Sequence, residues 1–142
     1  PQPQRRPELL WQAHAIDALL DAYARDKTPV HLERADSNFR ATRDRQGSIF
    51  NDFHDDEEWM ALALLRLWDA TQKDEYKARV MELWNDIKGG WSEGMGGGID
   101  WRKSQRDHKN APANAPTVIL AARLYQRFAE PKDLEWAQKI WG

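Results

Sequence analysis

Residues 57–70 read EEWMALALLRLWDA, and this stretch decides the fold. From Trp59 onward, only Arg66 and Asp69 interrupt its apolar run. A helix that is apolar on nearly every side must be buried on nearly every side. The stretch therefore predicts an inner helix with other helices packed around it.

The helical patterns elsewhere alternate between this buried type and a two-faced type. Residues 75–88 carry their apolar side chains on one stripe and stop at Gly89-Gly90, a common C-terminal signal. Residues 117–128 are again apolar nearly throughout, and a further two-faced helix begins after Pro131. An amphipathic helix is also predicted for residues 8–23. This alternation predicts an all-α protein built from two layers of helices, one ring inside another.

Residues 28–52 show no comparable pattern. Arginines and aspartates alternate through much of this segment, which also contains Gly47-Ser48. Because the segment is too long for a simple connector, we predict a structured surface loop with functional contacts.

The composition fits one globular domain covering residues 1–142, with 41% apolar residues and a net charge of -2. So small a net charge gives no field that would recruit nucleic acid or a membrane surface. The absence of cysteine excludes thiol chemistry. No apolar run approaches the roughly 20 residues needed to span a bilayer. Since the chain starts at Pro1 without an initiator Met and its last apolar stripe is unfinished at Gly142, we expect the natural protein to continue beyond both ends.

Asp55 and Asp56 stand where the polar segment meets the buried helix. In the structural interpretation, Asp55 and Glu58 form a capping box, which the residues alone favour. In the catalytic interpretation, repulsion between neighbouring carboxylates separates their pKa values, as a nucleophile and a general acid require. If the first of them is not yet helical, both can face one cleft, with carboxyl groups about 5 Å apart as in retaining glycoside hydrolysis.

A glycine-rich stretch, GWSEGMGGGIDW at residues 90–101, is the second candidate. It lacks the Gly-Lys-Ser/Thr of a phosphate loop and the strand–helix context of a dinucleotide site. Its glycines allow close approach of a ligand, and Trp91 and Trp101 bracket it. A flexible connector and a ligand site both remain open.

Residues 109–114, KNAPAN, form the third candidate and lead into the second buried helix. Asn114 is interpreted as the N-cap of that helix. The four histidines show no zinc-ligand spacing, and the adjacent His, Asp and Glu residues at 54–58 are poorly placed to converge on one cation. We therefore expect neither a metal nor a cofactor.

Taken together, these motifs resemble glycoside hydrolase family 76 over about residues 50–129. The resemblance rests on Asp55-Asp56 with the WMALALLR that follows, on GGGIDW, on Lys109-Asn110-Ala111 and on LAARLY at residues 120–125. Its members are endo-α-1,6-mannanases, and fungal relatives are thought to act as cell-wall transglycosidases.

The resemblance implies an (α/α)6 toroid, of whose twelve helices this chain supplies about five. It also implies a retaining mechanism on α-mannan, with Asp55 as nucleophile and Asp56 as general acid/base. The residues that would border the substrate cleft are Gly97, Gly98, Trp101, Lys109 and Asn110, together with Trp91. The resemblance also implies that the protein is secreted, periplasmic or located on the cell surface.

Two alternatives remain at this point. The same toroid supports sugar epimerases and lyases, which lean on His or Tyr as base, and only His54 stands near the aspartate pair. A non-catalytic glycan-binding protein, with Asp55-Asp56 as a cap only, is the other. Product analysis separates the first from a hydrolase. Binding of mannan that survives substitution of both aspartates, with no cleavage by the unmodified protein, would indicate the second.

Overall fold

Helices dominate the computed structural model, which describes residues 7–46, 54–92, 98–102, 105–109 and 111–141. The helices are α1 (Pro7–Asp26), α2 (Pro29–Gln46), α3 (His54–Thr71), α4 (Asp74–Lys88), α5 (Ala111–Phe128) and α6 (Pro131–Trp141). The strands are β1 (Trp91–Ser92), β2 (Gly98–Arg102) and β3 (Gln105–Lys109). The described residues therefore contain six helices rather than the expected five or so.

The helices form two layers. α1, α3 and α5 lie side by side, and α2, α4 and α6 each pack against the helix that precedes them. The inner helices run parallel. His14 of α1 lies against Trp59 of α3, with ring centroids 5.4 Å apart, and further along both helices Asp17 and Asp21 pair with Arg66. Asp69 near the end of α3 likewise pairs with Arg127 near the end of α5. The predicted alternation of inner and outer helices is confirmed.

The core lies between the two layers and is centred on α3. Its residues 60–65 and Leu67 are all buried, as the nearly continuous apolar run predicts. Each of the leucine and methionine side chains among them contributes about 1.5–3 kcal/mol by leaving water. From α4, the stripe that meets this core consists of Tyr76, Val80, Leu83, Trp84 and Ile87.

Helix α2 corrects the prediction of a surface loop for residues 28–52. Among its described side chains, the buried ones form a narrow stripe at helical spacing, Ala35, Phe39 and Thr42. The rest of its surface is polar, so the hydrophobic pattern is too weak to reveal the helix. Packing against α1 rather than an apolar sequence therefore stabilises it. Residues 47–53, the remainder of the predicted loop, lie outside the described residues.

An ionic cluster joins α2 to α4. Arg40 donates two hydrogen bonds to Glu75, at 3.1 and 2.7 Å, and one to Asp36 at 2.9 Å. Tyr76 donates a short hydrogen bond to the other oxygen of Asp36. Burial raises the pKa of Asp36, but the bonds from Tyr76 and Arg40 outweigh it and hold that pKa below its usual value.

The turns that end the three inner helices share one backbone conformation. Lys27, Gln72 and Ala129 all have positive φ, at 56°, 57° and 55°. The N–H of each donates to the carbonyl four residues earlier, which closes the helix end. Such a left-handed position is normally occupied by glycine, because a Cβ atom is strained there.

We predict that Ala129→Gly stabilises the protein by about 0.5–1 kcal/mol, since relief of the strain exceeds the added entropy of the unfolded chain. The matched control is Ala78→Gly, at an exposed position inside α4. That change should cost about 1 kcal/mol. Urea unfolding of both variants measures the difference, and equal effects of the two substitutions would contradict the strain argument.

The glycine-rich stretch does not form a loop throughout. Its two ends are β1 and β2, which pair antiparallel with Trp91 opposite Ile99. β3 adds to the other edge of β2, with Asp100 opposite Lys109, to give the sheet order β1-β2-β3. β2 packs against both α3 and α5.

None of the helices in the described residues combines the length and the apolar character needed to cross a membrane.

Candidate active site

The aspartate pair lies in the first turn of α3. Because this helix begins at His54, Asp55 is inside it and is not its N-cap. The capping-box interpretation is therefore wrong in position. We also argued that both carboxylates can face one cleft if Asp55 is not yet helical. Because Asp55 is helical, that argument does not apply.

Three consecutive acids follow Asp55 in this turn, and all are excluded from water. Asp56, Glu57 and Glu58 are each 0% exposed, and each has an interaction partner. The N-terminal end of a helix is the place where its dipole favours negative charge. The side chain of Asp55 lies outside the described residues, so the separation of about 5 Å between the two carboxyl groups stays a prediction.

The sheet brings the predicted substrate residues to the inner helices. Gly98 and Trp101 lie on β2 and Lys109 on β3. Gly97 and Asn110 fall outside the described residues. Since β2 packs against α3 and α5, the glycine-rich motif and the aspartate helix are neighbours in space.

Asn114 connects the sheet to α5, and it is not the N-cap that we predicted. It is the fourth residue of α5, which begins at Ala111. Its side-chain Oδ1 accepts from the backbone N–H of Ile99 at 2.8 Å, and its Nδ2 donates to the carbonyl of Ile99 at 3.0 Å. Both backbone polar groups of this buried β2 residue are thus satisfied by one side chain.

The same bonds place β2 at the height of the aspartates. Facing positions on the parallel helices α3 and α5 are 58 residues apart in sequence, as Asp69 and Arg127 show. Asn114 is therefore at about the height of Asp56 along the inner helices. The start of α3, the start of α5 and the strand that carries Gly98 and Trp101 meet at one end of the inner layer.

Trp91 occupies an aromatic cluster with the outer helix α6. Its ring meets Trp136 edge-on, with centroids 5.8 Å apart, and the Lys139 ammonium lies 4.0 Å from its centroid. This packing indicates that Trp91 attaches β1 to α6. Its predicted contact with substrate stays a prediction.

A cleft of about 510 Å³ runs along the exposed side of the inner layer. It is lined by Asp17, Asp21, Trp59, Leu62, Arg66, Asp69, Ile119, Arg123 and Arg127. The α3 residues in this lining follow helical spacing, and Asp55 is the position one turn before Trp59 on that face. The backbone of Asp55 and Asp56 is thus about one turn of α3 from the Trp59 end of the cleft.

Ion pairs hold the opposite end of the cleft. Arg66 donates hydrogen bonds to Asp17 at 3.1 Å and to Asp21 at 2.8 Å. Arg127 donates two hydrogen bonds to Asp69, at 2.8 and 2.6 Å. Burial raises the pKa of Asp17 in spite of the neighbouring Arg66. Sequence reasoning did not identify these residues, because only the parallel packing of the inner helices brings them together. Within the described ranges, no three His, Asp or Glu side chains are grouped as a metal site needs.

The comparison with protein families decides the family. The model of glycosyl hydrolase family 76 matches residues 3–142. The chain belongs to glycosyl hydrolase family 76. No curated protein sequence matches the chain.

Solved structures of family 76 proteins share its fold. The GH76A α-1,6-mannanase of Salegentibacter sp. HEL1_6 is 38% identical, with a TM-score of 0.91 over 94% of this chain. The structure of an inactive variant of that mannanase, with two adjacent aspartates replaced by asparagine, has been solved in complex with α-1,6-mannotriose. This variant is 36% identical, with a TM-score of 0.91 over 94% of this chain and 40% of the mannanase. The Lin0763 protein of Listeria innocua is 40% identical, with a TM-score of 0.90 over 98% of this chain and 42% of that protein.

The family 76 fold is an (α/α)6 toroid, and this chain forms a segment of it. The chain spans 40% of the length of the Salegentibacter mannanase. The α1–α2, α3–α4 and α5–α6 hairpins are successive units of the toroid, with α1, α3 and α5 in its inner ring. The predicted fold class is therefore confirmed.

Proposed function

We propose that the chain is part of a retaining glycoside hydrolase that cleaves internal α-1,6-mannosidic bonds of α-mannan. One observation carries the proposal. Asp55 and Asp56 are the only neighbouring aspartates in the sequence, and the similar Salegentibacter mannanase is inactive when two adjacent aspartates become asparagine. Position agrees with this, because the pair lies at the end of the inner layer where the sheet and two inner helices meet.

In the proposed mechanism Asp55 is the nucleophile. Its carboxylate attacks the anomeric carbon while Asp56 donates its proton to the departing glycosidic oxygen. This step gives a covalent mannosyl–enzyme and releases the shortened chain. Asp56, now ionised, takes a proton from water, and the resulting hydroxide displaces Asp55 from the anomeric carbon with overall retention.

The environment of each aspartate supports its role. The start of α3 supplies a favourable dipole for the negative charge that a nucleophile must carry. Asp56 is fully buried, and exclusion from water disfavours the charged form of a carboxyl group, which suits an acid. A retaining pair requires different pKa values at its two carboxyl groups.

The substrate would lie along the sheet and the start of the cleft. Trp101 would stack on a mannose ring, as aromatic faces do with sugars, and Gly97 and Gly98 would allow its close approach. Lys109 and Asn110 would donate hydrogen bonds to mannose hydroxyls, with Trp91 at the edge of the site. The polysaccharide is the partner that we propose for this surface.

Incubation of the natural full-length protein with unbranched α-1,6-mannan tests the proposal. We expect the average chain length to fall rapidly while reducing ends accumulate, because internal cleavage produces mid-sized fragments first. Release of mannose alone, with the polymer length maintained, would contradict internal cleavage. Unchanged mannan that still binds the protein would indicate the non-catalytic alternative, and modified mannan without new reducing ends would indicate an epimerase.

A further inference from the structure

Asn114 is the polar side chain that joins the inner helix α5 to the sheet beside the aspartates. It bridges the N–H and the C=O of Ile99, at 2.8 and 3.0 Å. A side-chain amide that binds both groups of one residue acts as a further strand would, so it fixes both the position and the rotation of β2. Ile99 is fully buried, and loss of the bonds would leave two backbone groups unsatisfied away from water.

The residues that depend on this attachment are the predicted substrate residues of β2. Gly98 directly precedes Ile99, and Trp101 follows it by two positions. Both are on a strand only five residues long, so a shift at Ile99 moves the whole strand. This pair of hydrogen bonds, the Asn114–Ile99 clamp, is also at about the height of Asp56. A shift of β2 would therefore occur beside the place where the glycosidic bond must lie.

We propose that Asn114 is a positioning residue for the substrate site: by clamping Ile99, it fixes Gly98 and Trp101 beside the Asp55-Asp56 pair. The inference rests on the proposed function. Asn114 need not touch the sugar, since its effect passes through β2.

The chemistry of the clamp selects the test variants. Asn114→Ala removes both bonds, yet it does not weaken α5 by itself, because alanine has a higher helix propensity than asparagine. Asn114→Asp keeps an acceptor for the N–H of Ile99 but has no donor for its carbonyl. It is also compatible with the first turn of a helix. Asn85→Ala, at an exposed position of α4, is the matched control.

The experiment measures kcat and KM on α-1,6-mannotetraose, with the full-length protein and its variants, and amide hydrogen exchange at Ile99. We expect Asn114→Ala to raise KM by about tenfold, because loss of both bonds moves Gly98 and Trp101 away from the positions in which they would bind mannose. Asn114→Asp should fall between Asn114→Ala and the unmodified protein, and Asn85→Ala should match the unmodified protein. Exchange at the Ile99 amide should accelerate in Asn114→Ala.

Two results would overturn the inference. One is a KM within twofold of the unmodified protein. The other is a fall in kcat at unchanged KM, because this is what a smaller folded fraction produces. If the unmodified protein does not cleave mannotetraose, the proposed function fails, and calorimetric binding of the same sugar then decides the role of Asn114. Weaker binding by Asn114→Ala would support the clamp, while equal binding, or none by the unmodified protein, would overturn it.

Discussion

Replacing Asp55 or Asp56 with asparagine is expected to abolish nearly all cleavage of linear α-1,6-mannan by the full-length protein. For Asp55→Asn the loss should be on the order of 10⁴-fold or more in kcat, because no carboxylate remains to form the covalent intermediate. For Asp56→Asn we expect about 10²- to 10⁴-fold, the usual contribution of general acid–base catalysis. Reducing-end release under saturating substrate measures both.

The matched control is Asp74→Asn, which removes an exposed carboxylate from the first turn of α4. Its activity should equal that of the unmodified protein. Circular dichroism and a thermal scan establish that each variant is folded. A folded Asp55→Asn or Asp56→Asn variant with near-normal turnover would remove that residue from the mechanism.

Added azide separates the two roles. With an aryl α-mannoside that needs no leaving-group proton, Asp56→Asn should still form the intermediate, and azide should trap it as the α-mannosyl azide with retained configuration. In Asp55→Asn azide can only replace the missing nucleophile, so it should give the β-azide by a single inversion. The reverse pattern would exchange the two roles.

The second large effect concerns stability. Trp84 is fully buried between α4 and α6, and its indole N–H donates to Asp133 at 2.9 Å. Trp84→Ala should cost about 3–5 kcal/mol of unfolding free energy, from the lost burial and the cavity that remains. The buried Asp133 also loses its donor, which places the expected cost at the upper end of that range.

Trp84→Phe helps to separate these two contributions, because it removes the donor but keeps an aromatic ring and leaves a smaller cavity than alanine does. We expect about 1–3 kcal/mol for this variant. Trp141→Ala is the control, since Trp141 is 83% exposed and the change should stay within about 0.5 kcal/mol. Urea unfolding at equilibrium measures all three. A Trp84→Ala cost no larger than that of Trp141→Ala would show that the α4–α6 contact does not support the fold.

Sequence patterns predicted the helices whose stability comes from their own apolar content. The end of α3 and both boundaries of α4 were predicted to within a residue, from the run after Trp59 and from Gly89-Gly90, but α3 begins at His54, three residues before the predicted start. Helix α2 was missed because, among its described side chains, the buried stripe of Ala35, Phe39 and Thr42 is concealed by charged neighbours. The sheet was missed because its strands are only two to five residues long and β3 is polar throughout.

The candidate site shows a similar division. Asp55, Gly98, Trp101 and Lys109 could be selected from local motifs, and the structure places their backbone at one end of the inner layer. The tie between Asn114 and Ile99 could not be predicted, because it joins residues 15 positions apart through an amide that local sequence assigns to a helix cap. Such contacts depend on how helices and strands pack in three dimensions, and a local sequence pattern does not predict that packing.

The two ends of the inner helices should have had different evolutionary histories. At one end, residues 27–28, 72–73 and 129–130 make tight reversals with a shared left-handed residue, and an insertion there would part an inner helix from its outer partner. At the other end, the chain between α4 and α5 has room for a complete sheet. New substrate preferences can therefore arise by lengthening or recombining segments at that end alone. For protein engineering, it is the end at which to graft and randomise, while the tight reversals are best left unchanged in length.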